Sequence, residues 1–232
     1  MEIKNLTKAY GSKVVLQDFS LKLEKGTITC ITGESGCGKT TLLNLIAGLT
    51  EPDAGGIEQK LAVSYLFQEP RLLPWRTALE NVTIALKGDE TKARAALELV
   101  GLGDSLDKYP AQLSGGMKQR VAMARAFCFP SEVLLMDEPF QNLDVKLRSS
   151  LLEAFLKLWD SEQERKTVLW VTHDITEACL AADLILCVAS NPMKLVGSYP
   201  IELARSERTA GNIAQLQAQI YQTLVFAPYT AS

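Results

Sequence analysis

Gly33-Glu34-Ser35-Gly36-Cys37-Gly38-Lys39-Thr40 sets two glycines apart by four residues and follows the second with Lys and Thr. Glycines let the backbone curl until successive N–H groups converge on a small anion. The lysine adds a point charge for the outer phosphates, and the hydroxyl beside it can hold Mg²⁺. Ahead of this stretch, Gly26-Thr27-Ile28-Thr29-Cys30-Ile31-Thr32 is β-branched and reads as a strand. Behind it, Leu42, Leu43, Ile46, Ala47 and Leu49 recur on one face of a helix. A loop between a strand end and a helix N-terminus is where phosphates bind. The stretch predicts an α/β fold with a nucleoside triphosphate held at Gly33–Thr40.

The chain has 232 residues, nearly half of them apolar, and a net charge of −3. That is enough for one large domain or a core with a subdomain, and the mild acidity gives no basic footprint for nucleic acid. The five cysteines, Cys30, Cys37, Cys128, Cys179 and Cys187, are odd in number and never spaced Cys-x-x-Cys. Most sit among apolar residues, which predicts a reducing compartment and no cysteine metal site. Met1-Glu2-Ile3-Lys4-Asn5 has no apolar core of a secretory leader. No apolar run reaches the roughly 18 residues that span a bilayer, so any membrane role is expected to be that of a peripheral subunit. Asn5-Leu6-Thr7 and Asn81-Val82-Thr83 match the glycosylation pattern and read as false positives in a cytosolic protein.

Along the chain, residues 1–32 alternate polar and apolar positions and predict short, partly antiparallel strands. Glu51-Pro52-Asp53-Ala54-Gly55-Gly56 reads as turns. Ala62–Phe67 reads as a strand ending at Gln68, and the pattern is helical from about Thr77 to Phe127, including Thr91–Val100 and Ser114–Phe127. Strands return at Val133–Met136, Thr167–Val171 and Leu184–Val188, with a helix carrying Leu147, Leu151, Phe155, Leu158 and Trp159 before the second of them. Strands alternating with helices predict a mostly parallel sheet covered on both faces. A helical insert near residues 86–130 interrupts it. From Ser206 on, Ile213, Leu216, Ile220 and Leu224 keep helical spacing and predict a tail helix packed on its own domain, the alternative being a contact with a partner.

Val133-Leu134-Leu135-Met136-Asp137-Glu138 is an apolar strand ending in two acids. In α/β folds, ligands lie beyond the carboxyl ends of parallel strands. Asp137 therefore suits Mg²⁺, directly or through water, and Glu138 suits a water attacking the γ-phosphorus. Thr167–Val171 leads to His173, the only histidine, at the same predicted edge, where it can touch the γ-phosphate. Gln68 ends a third such strand and offers a neutral amide to the metal or the water. Leu113-Ser114-Gly115-Gly116-Met117-Lys118-Gln119-Arg120 opens a helix with Ser114 as cap, a second anion site. One triphosphate already has its loop, so this clamp is expected to serve the nucleotide of a second copy in a two-fold, head-to-tail dimer.

This set resembles the ATP-binding subunit of an ABC transporter over nearly the whole chain. Gly33–Thr40 matches the Walker A loop, Gln68 the Q-loop, and Leu113–Gln119 the signature motif. Val133–Glu138 matches Walker B, Asn142-Leu143-Asp144 the D-loop, and His173 the switch histidine. The resemblance implies a P-loop NTPase (RecA-like) core, a small antiparallel β subdomain and a helical insert carrying the signature. It implies that Gly33, Glu34, Ser35, Gly36, Cys37, Gly38, Lys39, Thr40 and Thr41 surround ATP phosphates in one copy while Ser114, Gly115 and Gly116 of the other close over them. Tyr10, in Lys8-Ala9-Tyr10-Gly11, matches the aromatic that stacks on adenine. Glu138, His173, Gln68 and Lys39 would carry hydrolysis, and Thr40, Gln68 and Asp137 would hold Mg²⁺. The cassette would occupy residues 1–205 and the tail 206–232.

Glu69-Pro70-Arg71-Leu72-Leu73-Pro74-Trp75 and Met136–Phe140 resemble the importer branch that handles nitrate, sulfonates, taurine and related small compounds. In that branch the partners are a second copy, integral-membrane permease subunits and, indirectly, a solute-binding protein, with no nucleic acid. The subunit lies on the cytoplasmic face of the membrane. Leu72, Leu73 and Trp75 would then receive a permease helix. Two departures stand out: Gln141-Asn142 replaces the usual Gly-Ala, and the stretch from Gly48 to Gln68 is short, so the antiparallel subdomain should be trimmed. The rival readings are a soluble ABC-type ATPase acting on nucleic acid or ribosomes, and a P-loop kinase. The first usually brings two cassettes, a coiled coil or basic arms, and the second leaves Leu113–Gln119 unexplained. Within the loop, Cys37 lies beside Lys39 and a helix start, which predicts a reactive thiolate.

Overall fold

The computed structural model describes residues 1–59, 61–141, 143–190 and 192–226. In chain order, β1 (Glu2–Tyr10), β2 (Lys13–Lys22) and β3 (Ile28–Gly33) precede α1 (Lys39–Ile46), followed by β4 (Ala54–Ile57) and β5 (Val63–Leu66). Three helices come next, α2 (Ala78–Thr83), α3 (Glu90–Leu99) and α4 (Gly115–Cys128), then β6 (Val133–Asp137) and α5 (Val145–Ser161). The chain finishes with β7 (Thr167–Val171), α6 (Ile175–Ala181), β8 (Leu184–Ala189), β9 (Lys194–Pro200) and α7 (Ala210–Phe226). These elements form two compact units, one from Met1–Leu61 with the chain from Thr167 on, the other from Ala62–Lys166.

In the first unit, β3 runs parallel to both β7 and β8, Ile31 opposite Val171 and Leu186, and β9 adds an antiparallel edge on β8. Every residue of β3 and β7 is buried, which is why both read as near-continuous apolar runs rather than as an alternation. The antiparallel sheet has three strands, in the order β2-β1-β4. Its third strand corrects the reading of 51–56 as turns alone. Gly55 sits at φ 78°, and a Cβ there would lie 2.1 Å from the Asn5 carbonyl oxygen, so only glycine lets the backbones approach. β9 was not legible either, because Gly197 and the polar residues in Lys194–Pro200 hide its pairing.

The tail helix α7 packs on α6, β8 and β9. Ahead of it Arg208, nearly buried, donates through Nη1 to the carbonyls of Cys179, Leu180 and Ala182 and through Nε to that of Leu203. It thereby satisfies the C-terminal carbonyls of α6 that no helix bond can reach. Arg205 adds a bond to the Ala181 carbonyl and an ion pair with Asp183 at 2.6 Å. Arg208→Ala would leave buried acceptors unpaired and is expected to cost ~2–3 kcal/mol of stability, read as a lower urea midpoint. An unchanged midpoint would mean that the clamp contributes nothing.

In the second unit β5 and β6 pair in parallel, Leu66 beside Met136. Helix α5 buries Leu151, Phe155, Leu158 and Trp159, the apolar spacing read from the sequence. Phe155 meets Phe127 of α4 with ring centroids 5.6 Å apart, and the Trp159 indole donates to the Lys166 carbonyl at 2.9 Å. Asn81 is fully buried and binds the carbonyls of Leu73, Arg76 and Thr77 and the Leu73 amide, so it braces a loop and is closed to glycosylation. Among the described residues no helix is long and apolar enough to cross a membrane.

Candidate nucleotide site

The phosphate loop spans the carboxyl end of β3 and the start of α1. Gly33 lies against β8, where a Cβ would come within 2.3 Å of the Val188 carbonyl oxygen. Gly38 caps α1 with φ 111°, a conformation other residues rarely adopt, and so turns the backbone into the helix with its amides uncovered. Lys39 folds back over the loop, its ammonium 2.8 Å from the carbonyl oxygens of Gly33 and of Glu34. Ser35, Gly36 and Thr40 are exposed, Glu34 is exposed beside them and Thr41 is half-buried. The loop thus sets backbone amides, the folded-back and nearly buried Lys39 ammonium and the exposed hydroxyls of Ser35 and Thr40 at a strand–helix junction, as anion binding requires.

Cys37 departs from expectation. It is almost fully buried, and burial pushes its thiol up, outweighing the opposing pull of Lys39. The predicted reactive thiolate gives way to a packed, protonated thiol. Two other cysteines behave alike: burial raises Cys179 of α6 to about 11 and Cys187 of β8 to about 12.

His173 lies just past β7, on the same carboxyl edge of the sheet as the phosphate loop, since β3 and β7 are parallel neighbours. It is exposed, and its flanks are fixed. The Thr172 hydroxyl donates to Glu177 at 2.9 Å and accepts from the Asp174 amide at 3.0 Å. Asp174 caps α6 by accepting from the amides of Thr176 and Glu177. Tyr10 ends β1, half-exposed, with the Lys8 ammonium 5.6 Å from its ring centroid.

The second unit brings Gln68, Asp137 and Glu138 to one edge, since β5 and β6 run parallel. Gln68 donates its amide to the Gln141 side chain. The Tyr65 hydroxyl donates to Asp137 Oδ2 at 3.2 Å; burial first, and the Asp137 charge second, keep that phenol protonated far above its ordinary range. Glu138 sits at φ 44°, a left-handed backbone that costs a non-glycine residue of order 1 kcal/mol and clusters at functional sites. Gln119 of α4 donates to the Pro139 carbonyl at 2.5 Å, tying the signature helix to the turn after Glu138.

Ser114 caps α4 and accepts from the Met117 amide at 3.3 Å. It and Gly115 are exposed, while Gly116 is buried against Leu147, whose Cδ1 would stand 2.6 Å from an added Cβ. Asp144 caps α5 through the Leu147 amide; Asn142, in the same motif, lies outside the described residues. Trp75 is two-thirds exposed and Leu72 and Leu73 are half-buried. None of the three lines the neighbouring cleft of ≈ 400 Å³, whose walls include Arg76, Leu79, Thr83, Ile84 and Lys87. Sequence reasoning missed the roles of Tyr65 and Gln119, whose contacts join elements distant in the chain, and the local contacts of Asn81 and Glu177 with loop and strand-end residues.

The ABC transporter family model matches residues 16–141. The chain is 37% identical over 238 aligned residues to the aliphatic sulfonates import ATP-binding protein SsuB of Pseudomonas fluorescens, covering 98% of this chain and 87% of that one. It is 38% identical, with the same coverage, to the SsuB of Pseudomonas putida. Among solved structures, the ATP-binding cassette MJ0796, a dimer in a post-hydrolysis state bound to ADP and Pi, superposes with a TM-score of 0.73 at 28% identity, covering 88% of this chain and 99% of that one. A P-loop α/β cassette with a capped signature helix defines an ATPase class, and this chain belongs to the ABC transporter family. It is an ATP-binding, ATP-hydrolysing subunit.

Proposed function

We propose that this chain powers import of a small solute by closing head to tail with a second copy over two ATP molecules and driving separate integral-membrane permease subunits. The similarity to sulfonate import ATP-binding proteins over 98% of the chain carries the reading and favours it over a nucleic-acid or ribosome ATPase. The subunit acts peripherally on the cytoplasmic side of the membrane and takes its cargo indirectly from a solute-binding protein.

At each site the amides of Gly33–Thr40 and Lys39 bind the phosphates and Tyr10 stacks on adenine. Glu138 orients the attacking water, and His173 and Gln68 sense the γ-phosphate and water. Mg²⁺ would be held by Thr40, Gln68 and Asp137. Their oxygen donors suit a hard cation, and the described residues contain no cluster of three His, Cys, Asp or Glu side chains able to cage a metal, in keeping with an ion held largely by substrate phosphates. When bound it supplies charge neutralisation at the β- and γ-oxygens. Catalysis is then positioning and electrostatics on the part of the protein.

The exposed cap of α4 explains why a second copy is needed. It is a phosphate clamp in a chain that already has a phosphate loop. Ser114→Arg fills it while leaving the chain's own loop intact. The variant is expected to bind a fluorescent ATP analogue normally and to lose ATP turnover by about 10²-fold or more, the scale of one transition-state donor. Full turnover in Ser114→Arg would overturn the in-trans role.

A further inference from the structure

Tyr65, Phe67 and Arg71 form a column beside Asp137. The Tyr65 and Phe67 rings stack with centroids 4.1 Å apart and planes 10° from parallel. The Arg71 guanidinium lies over the Phe67 ring at 3.8 Å. Arg125 of α4 holds the loop in place by donating to the carbonyls of Pro70 and Arg71, each at 2.9 Å. At the other end the Tyr65 hydroxyl donates to Asp137 Oδ2. The loop between them carries Gln68. A chain of direct contacts therefore runs from the carboxylate at the end of β6, through the Gln68 loop, to the signature helix.

The nature of the donor matters. A phenol brings no charge of its own, so this bond bears on the direction of the carboxylate, the task of groups that hold metal-binding carboxylates from behind. Stacking fixes the phenol in turn, because a ring packed on Phe67 has few alternative rotamers.

We propose that Tyr65 is a positioning residue for the Mg²⁺ of bound ATP: its hydroxyl sets the orientation of the Asp137 carboxylate, and the Phe67–Arg71 column makes that orientation depend on the loop carrying Gln68. The inference rests on the reading of Asp137 as a Mg²⁺ carboxylate. Tyr65→Phe keeps the ring and its stacking and removes only the hydroxyl. Mn²⁺ can stand in for Mg²⁺ and be titrated by paramagnetic resonance into protein saturated with a non-hydrolysable ATP analogue. Loss of a group that holds a metal ligand typically weakens metal affinity by about 10–100-fold. Tyr65→Phe is expected to raise the Mn²⁺ dissociation constant about tenfold, with metal-free nucleotide affinity unchanged, and to raise the Mg²⁺ concentration that half-saturates ATP turnover by a similar factor. Asp137→Asn is the reference. If Asp137→Asn weakens Mn²⁺ binding and Tyr65→Phe does not, the role of Tyr65 is overturned while that of Asp137 stands. If neither variant moves Mn²⁺ binding, the reading of Asp137 fails and the inference with it.

Discussion

Glu138→Gln protein is expected to bind ATP as tightly as the parent and to hydrolyse it about 10²–10⁴ times more slowly, the usual worth of a general base. Glutamine keeps the size of the side chain and its hydrogen-bonding oxygen but cannot accept a proton from water. The backbone at φ 44° is a reason to expect a clean result. Glu138 follows an apolar strand, and its left-handed backbone breaks the extended path of β6 immediately after Asp137. The substitution leaves that backbone and the Gln119–Pro139 bond untouched. Steady-state phosphate release and fluorescent-nucleotide titration measure the two quantities. Near-parental turnover would remove Glu138 from the chemistry.

Lys39→Ala is expected to fail at the earlier step, losing both nucleotide affinity and turnover. The ammonium is nearly buried and in this structure rests on the carbonyls of Gly33 and Glu34. Those carbonyls are neutral, so a triphosphate, whose oxygens carry negative charge, competes well for the lysine. Loss of one hydrogen bond between charged groups is worth about 1.5–3 kcal/mol, a roughly 10- to 150-fold weaker binding constant. Unchanged affinity would mean that phosphates bind elsewhere.

How much of this was legible in sequence depended on how local the physics is. Gly33–Thr40 was legible because strand end, curled loop and helix start lie within a few residues, and Gly38 is a glycine for a reason the loop itself supplies, its φ of 111°. Ser114 was legible as a cap because capping is an interaction over three residues. His173, Gln68 and Asp137 could be placed on strand ends because buried parallel strands announce themselves as apolar runs. What failed was what tertiary contact decides. Cys37 has an activating lysine two residues away, yet the burial that outweighs it comes from packing that no local window contains. Ala54–Ile57 has the composition of a turn and becomes a strand because β1 offers it a partner. Tyr65 looks like any strand-forming aromatic until the β5–β6 register puts its hydroxyl on Asp137.

The central claim is that ATP closes two copies of this chain on one another. Glu138→Gln protein, which should hold ATP without consuming it, can be passed through size-exclusion chromatography with light scattering in saturating ATP and again in ADP. The account predicts twice the monomer mass in ATP and the monomer mass in ADP. A monomer in both, or a dimer indifferent to the nucleotide, would contradict it.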